Sequence, residues 1–245
     1  MATSDLPATL VGPDAAVIDE VIARLEAICA ALPPADGVHC FAAMYLVVTQ
    51  AVQAAITSGV FASTQFLTAL DVRFANRFFD ALGNATQGRP CRRSWDVLFA
   101  RHSAPGITGL QFALAGMNAH INFDLSQAVV DTLDAMGGNP NEGPWHSDYT
   151  RVNTLLDQLE PQIRETLLKT ALPAVAGDAG DALADFGMAG CREIAWCTSQ
   201  ALWPIRHEGL LRDGLTDVID TAVAASSDAL LSGLPWVRPD LPAAS

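Results

Sequence analysis

Gly116-Met117-Asn118-Ala119-His120-Ile121-Asn122-Phe123-Asp124-Leu125 sets an amide, an imidazole, a second amide and a carboxylate inside an apolar pattern that runs from about Gly106 to Met136. At about 100° per residue, Leu110, Leu114, Met117, Ile121, Leu125, Ala128 and Thr132 share one stripe, which predicts an amphipathic helix with that stripe inward. His120 and Asp124 are i,i+4 neighbours at one edge of the stripe, with Asp131 further along the same side. Asn118 and Asn122 form a second i,i+4 pair at the opposite edge. A core helix bordered by polar pairs on both edges is expected to line a pocket.

The flanking sequence repeats the helical period. Asp14 to Leu32 turns Val17, Val21, Leu25 and Ile28 inward and stops at Pro33-Pro34, because proline has no N–H to donate and disfavours helix before it. Asp36-Gly37 opens a helix from about Val38 to Ser58. On it His39, Ala43, Leu46, Gln50, Gln53 and Thr57 lie near one line, a polar stripe without charge that is expected to face an internal cavity. A third helix, from Ser63 or Thr64 to about Leu82, packs Leu67, Leu70, Phe74, Phe78 and Leu82, with Asp71 beside that stripe. Residues 83–93 read as a loop, Ser94 begins a short helix, and Gly137-Gly138-Asn139-Pro140 breaks the chain after the central helix. Ser147 then caps a helix with Asp148, Tyr149 and Asn153 near its start, and Pro161 is expected to begin another. Leu167 to Asp181 is weakly patterned, and helices over about Ala182–Ile205 and Leu210–Leu231 follow. Period-2 alternation is nearly absent. The fold predicted is all-α, one irregular bundle of eight or nine helices over residues 13–232, between a flexible tail at 1–12 and a Pro-rich tail at 233–245.

The formal charge of −13 argues against nucleic acid and anionic membranes as partners, since the one basic cluster is Arg89, Arg92 and Arg93. Residues 37–70 contain no Asp, Glu, Lys or Arg, enough for a membrane span. Their many His, Thr, Ser and Gln residues and the lack of positive anchors favour a buried bundle helix. Cys29, Cys40, Cys91, Cys191 and Cys197 form no CxxC, and the N-terminus has no basic-then-apolar signal, so free thiols in a reducing cytoplasm are expected. Among protein partners, a homodimer stays open.

A histidine needs a carboxylate or carbonyl to fix its tautomer, whether it acts as a base or as a metal ligand, and one turn of helix delivers that pairing. His120 and Asp124 are therefore the catalytic candidates. Asn118, Asn122, His39, Gln50, Asp71, Asp148, Tyr149 and Asn153 are the substrate-binding candidates. His102, His146 and His207 read as solvated loop or helix-end residues. Nucleophile-elbow, Walker and dinucleotide glycine motifs are missing, as are His-Glu-x-x-His and Glu-x-x-His. Asp131-x-x-Asp134 is not the aspartate-rich signature of helical terpene cyclases. No cofactor is predicted. A divalent metal held by His120 and Asp124 with one or two of His39, Asp71 and Asp148 is the alternative, His39 first among them, and a non-catalytic ligand-binding or scaffold bundle is the third reading.

The segments His39-Cys40-Phe41-Ala42-Ala43-Met44-Tyr45, Leu70-Asp71-Val72-Arg73-Phe74-Ala75-Asn76-Arg77, Asn118-Ala119-His120-Ile121-Asn122-Phe123-Asp124-Leu125 and Asp148-Tyr149-x-x-Val152-Asn153 resemble a family of uncharacterised all-helical proteins common in actinobacteria. The likeness spans about residues 36–170. It implies that His120, Asn122, Asp124, Asp71 and Asp148 form a shared constellation, and it supplies no reaction. Some of its members are expected to serve specialised metabolism, which implies a small organic substrate, and the apolar helix faces make that substrate mostly apolar. The function expected is cyclisation, isomerisation or hydration by an acid–base His/Asp pair in an apolar pocket.

Overall fold

A computed structural model describes residues 6–170 and 187–232. The helices are α1 (Ile18–Ala31), α2 (Gly37–Thr57), α3 (Thr64–Thr86), α4 (Arg93–Phe99), α5 (Gly109–Ala119), α6 (Leu125–Met136), α7 (Trp145–Thr170), α8 (Met188–Leu202) and α9 (Gly209–Ser232). A π-helical turn, His120–Asp124, joins α5 to α6. Counted with α5 and α6 as one rod, these are eight helices among the described residues, and no strand occurs there. The all-α bundle follows.

Local sequence accounts for several helix ends. Asp36 caps α2 by accepting from the Val38 and His39 amides, and Thr108 forms a capping box with Gln111 at the start of α5. Gly137 closes α6 with a φ of 67°, a left-handed turn that glycine adopts without side-chain strain.

The α5–π–α6 rod runs through the bundle. α5 lies between α2 and α9, while α6 lies between α3 and α8; α2 also packs on α1 and α7. At the α2–α5 crossing, a Cβ on Gly116 would sit 2.8 Å from the Phe41 Cβ, so only glycine admits this approach. Two hydrophobic clusters result, one around α1, α2, α4 and α5 and one around α6, α7 and α8. Val48, Phe74, Ile121 and Met188 pack against both clusters and so mark the seam between them.

Several expectations change. α3 continues four residues beyond Leu82, leaving a shorter loop. α7 runs through Pro161 as one helix, so Pro161 does not begin a new one. Residues 6–12 are not a free tail: Leu6 and Leu10 are buried against the first cluster, since a short apolar segment gains more from docking than from hydration. The expectations for residues 1–5, 171–186 and 233–245 lie outside the described residues. α2 is long and apolar enough to cross a membrane, and here it packs among α1, α5 and α7. None of the five cysteines forms a disulfide with another described residue.

Candidate functional site

A cavity of about 90 Å³ opens at the seam between the clusters. Its wall is apolar: Val48 and Val52 of α2, Leu67 and Leu70 of α3, Leu125 of α6 and Leu156 of α7 are typical. Four polar side chains break that surface, and they come from four elements: Tyr45 of α2, Asp71 of α3, His120 of the π turn and Arg192 of α8.

His120 is only 2% exposed. Its Nδ1 lies 3.0 Å from Asp124 Oδ2, the same oxygen that accepts from Trp95 Nε1 at 2.9 Å. With the carboxylate as acceptor, Nδ1 carries the proton and Nε2 keeps a lone pair. Nε2 is buried and has no hydrogen-bond partner. The imidazole stacks on Phe74 at 3.5 Å between centroids and meets the Tyr45, Phe41 and Trp95 rings at 4.7, 5.6 and 5.8 Å. Burial in this ring box lowers the His120 pKa, against the opposing pull of the Asp124 hydrogen bond, so the imidazole is neutral at neutral pH.

Asp71 and Tyr45 add two more buried polar atoms, Oδ2 and the hydroxyl, without partners. The Thr49 hydroxyl near Tyr45 donates instead to the Tyr45 carbonyl oxygen at 3.0 Å. Burial alone pushes the Asp71 carboxyl up to about 7. Burial, then the charges of Asp71 and Asp124, hold the Tyr45 phenol well above its ordinary value. Buried polar groups in folded proteins are nearly always bonded, and three of the seven exceptions among the described residues lie around this one cavity.

The remaining predicted residues fall elsewhere. His39 Nδ1 sits 3.0 Å from the Cys29 carbonyl oxygen and 3.2 Å from that of Leu32, so it holds the end of α1 and faces no cavity. Gln50 is exposed and Gln53 bonds Asp19, because the uncharged stripe of α2 turns to α1 and the surface. The opposite, apolar face of α2 lines the site. His39 therefore does not join His120 and Asp124, and no group of three or more His, Cys, Asp or Glu suited to a metal occurs among the described residues. Asn118 donates to the Val223 carbonyl and to Ser227, each at 2.9 Å, and accepts from Asn122 at 2.8 Å, which ties the rod to α9. Asp148 accepts from the Ala62 and Ser63 amides and anchors the start of α3. Tyr149 and Asn153 reach the site indirectly: Arg192 Nε donates to Asn153 Oδ1 at 2.7 Å and Nη2 to the Tyr149 carbonyl at 2.8 Å. Asp131 is half-buried and paired with Arg77 and Arg212, away from the dyad. One π turn adds roughly one residue, or about 100°, to the rotation of everything after it.

Reasoning from sequence missed Tyr45, Trp95 and Arg192. Tyr45 left a faint signal, as a phenol on the supposed apolar face of a chargeless helix. Arg192 left none, since nothing local distinguishes it from a surface arginine.

The chain belongs to the family of unknown function DUF5995, which matches residues 18–233. No curated protein and no solved structure matches it.

Proposed function

We propose that the chain is an enzyme that moves protons on a small, mostly apolar molecule, without a redox cofactor, in an isomerisation, cyclisation or hydration. The observation that supports this most is the pairing of two titratable groups with opposite tasks at one apolar cavity. His120 offers a neutral Nε2 held in one tautomer by Asp124, and Asp71 offers a carboxyl that is about half protonated near neutral pH. In an isomerisation, Nε2 removes a proton from one substrate atom while the Asp124 carboxylate stabilises the imidazolium that forms. The Asp71 carboxyl delivers a proton to a second atom, which conserves the substrate's formula. Exchange with solvent then moves one proton from His120 to Asp71 and restores both groups. The Tyr45 hydroxyl is placed to orient a polar group of the substrate.

Nuclear magnetic resonance tests the two protonation states without a known substrate. His120 is expected as the Nδ1–H tautomer at neutral pH, and the Asp71 carboxyl carbon is expected to titrate near 7. An Nε2–H tautomer, or an Asp71 titrating like an ordinary carboxylate, ends the proposal. A ligand-binding protein without turnover is the second reading, favoured by the aromatic enclosure of His120. Carbon–hydrogen exchange in deuterated water separates the two, because binding alone exchanges nothing.

A further inference from the structure

Among the described residues Arg192 is the one cation lining the cavity, and the arrangement around it differs from that of the other arginines there. It is 7% exposed. Arg77, Arg92, Arg101, Arg206 and Arg212, all less buried, each meet an aspartate. No carboxylate pairs with Arg192 among the described residues. Its Nε and Nη2 are taken by Asn153 and the Tyr149 carbonyl, and its guanidinium lies 4.3 Å from the Tyr149 ring centroid. These contacts orient the group and offset part of its desolvation, but none supplies a negative charge. Asp71 lines the same cavity, and its buried Oδ2 has no hydrogen-bond partner, so it is not bonded to the guanidinium through that oxygen. An oriented, desolvated guanidinium whose Nη1 meets no acceptor among the described residues keeps N–H donors to offer a carboxylate.

We propose that the cavity binds a small apolar carboxylic acid as its anion, with the carboxylate on Arg192 and the hydrocarbon body against the rings and aliphatic side chains around His120. This rests on reading the cavity as the ligand site, and it names the substrate class for that site. A volume of about 90 Å³ favours a short or branched chain, and the flexible side chains of Met44, Met117 and Met188 in the wall allow some growth. The single cation suits a single negative charge. Arg192 of α8 and His120 of the π turn line the same cavity, so a carboxylate held by Arg192 leaves its hydrocarbon body in the space that His120 borders.

Calorimetric titration with isovalerate, isoamyl alcohol and isoamylamine, which share one carbon skeleton, tests this directly. Isovalerate is expected to bind at least roughly thirty-fold more tightly than the alcohol, with no binding of the amine. Arg192→Met should abolish that preference, while Arg192→Lys, which keeps the charge without the fork, should retain part of it. Equal binding of isovalerate and the alcohol, undiminished isovalerate binding by folded Arg192→Met, or no binding of any of the three overturns the proposal. Should Arg192→Met fail to fold, the selectivity of the unaltered protein and of Arg192→Lys decides. The same titration on His120→Asn keeps the two readings apart: isovalerate binding should survive there, even if the acid–base role of His120 is disproved.

Discussion

Among the described residues are two buried His–Asp pairs, and their surroundings differ. His102 Nδ1 lies 2.6 Å from Asp36 Oδ2, and both side chains are less than a tenth exposed. Asp36 also accepts from two amides at the start of α2, and the His102 carbonyl accepts from Gly37 N–H at 2.7 Å. Every element of that cluster closes a helix end, so the pair is mortar between α2 and the turn after α4. His120 and Asp124 are as deeply buried, yet Nε2 of the histidine has no partner and the residue borders a cavity. On the proposed function, a buried His–Asp pair can serve as a site only where one of its atoms is left without structural work. Sequence treated the two histidines in the reverse sense at one of them, placing His102 in solvent.

The largest expected effect is therefore at the structural pair. Asp36→Ala removes an N-cap and the His102 hydrogen bond together and should cost about 3 kcal/mol in urea unfolding. A loss below about 1 kcal/mol would mean that the cluster is not structural. Next comes Gly116→Ala, whose new Cβ collides with Phe41 at the α2–α5 crossing. It should cost about 1–3 kcal/mol and change the chemical shifts of His120, which Phe41 touches.

A smaller effect, dependent on pH, belongs to Asp71. Its folded-state pKa is raised from 3.8 to about 7, so the folded protein keeps a proton that the unfolded chain releases. Stability from this group is full below the unfolded value and falls as pH rises through that window. The melting temperature of Asp71→Asn relative to the unaltered protein should therefore climb from pH 4 to about 7 and level off above it. Parallel melting curves would return Asp71 to the ordinary carboxylates. His120, whose pKa is lowered, acts in the opposite direction and loses stability as pH falls below 6.5 in both proteins. The smallest effect on stability is expected for His120→Asn, within about 1 kcal/mol, because asparagine can still donate to Asp124. Loss of proton exchange with an unchanged fold would complete the contrast with Asp36, whereas unfolding would make His120 a second structural histidine.

Much of the fold was legible because it is local. The period of Val21, Leu25 and Ile28, the Pro33-Pro34 stop, the Asp36 cap and the glycine break after Met136 act within a few residues and need no tertiary information. The His120–Asp124 bond was legible for the same reason, since four residues of any helical turn bring the two side chains together. Asp71 was legible as a carboxylate beside an apolar stripe. Trp95 and Arg192 were not, because each reaches the dyad or the cavity from a helix distant in sequence.

What the sequence alone determined, the end of α3 and the passage through Pro161 excepted, is the helices' own geometry: where they start, where they stop, and which residues share a face. What only the tertiary structure decided is which face meets which neighbour. The polar line through His39 and Gln50 was real, yet it turned toward α1 and the surface, leaving Phe41, Met44 and Tyr45 to line the cavity. The π turn had the same character, since it rotates α6 relative to α5 by an amount that residue types do not encode. The physical reason is that periodicity fixes angles about a helix axis, whereas a site is made by the packing of separate axes, and that is set by side-chain volumes across the whole core.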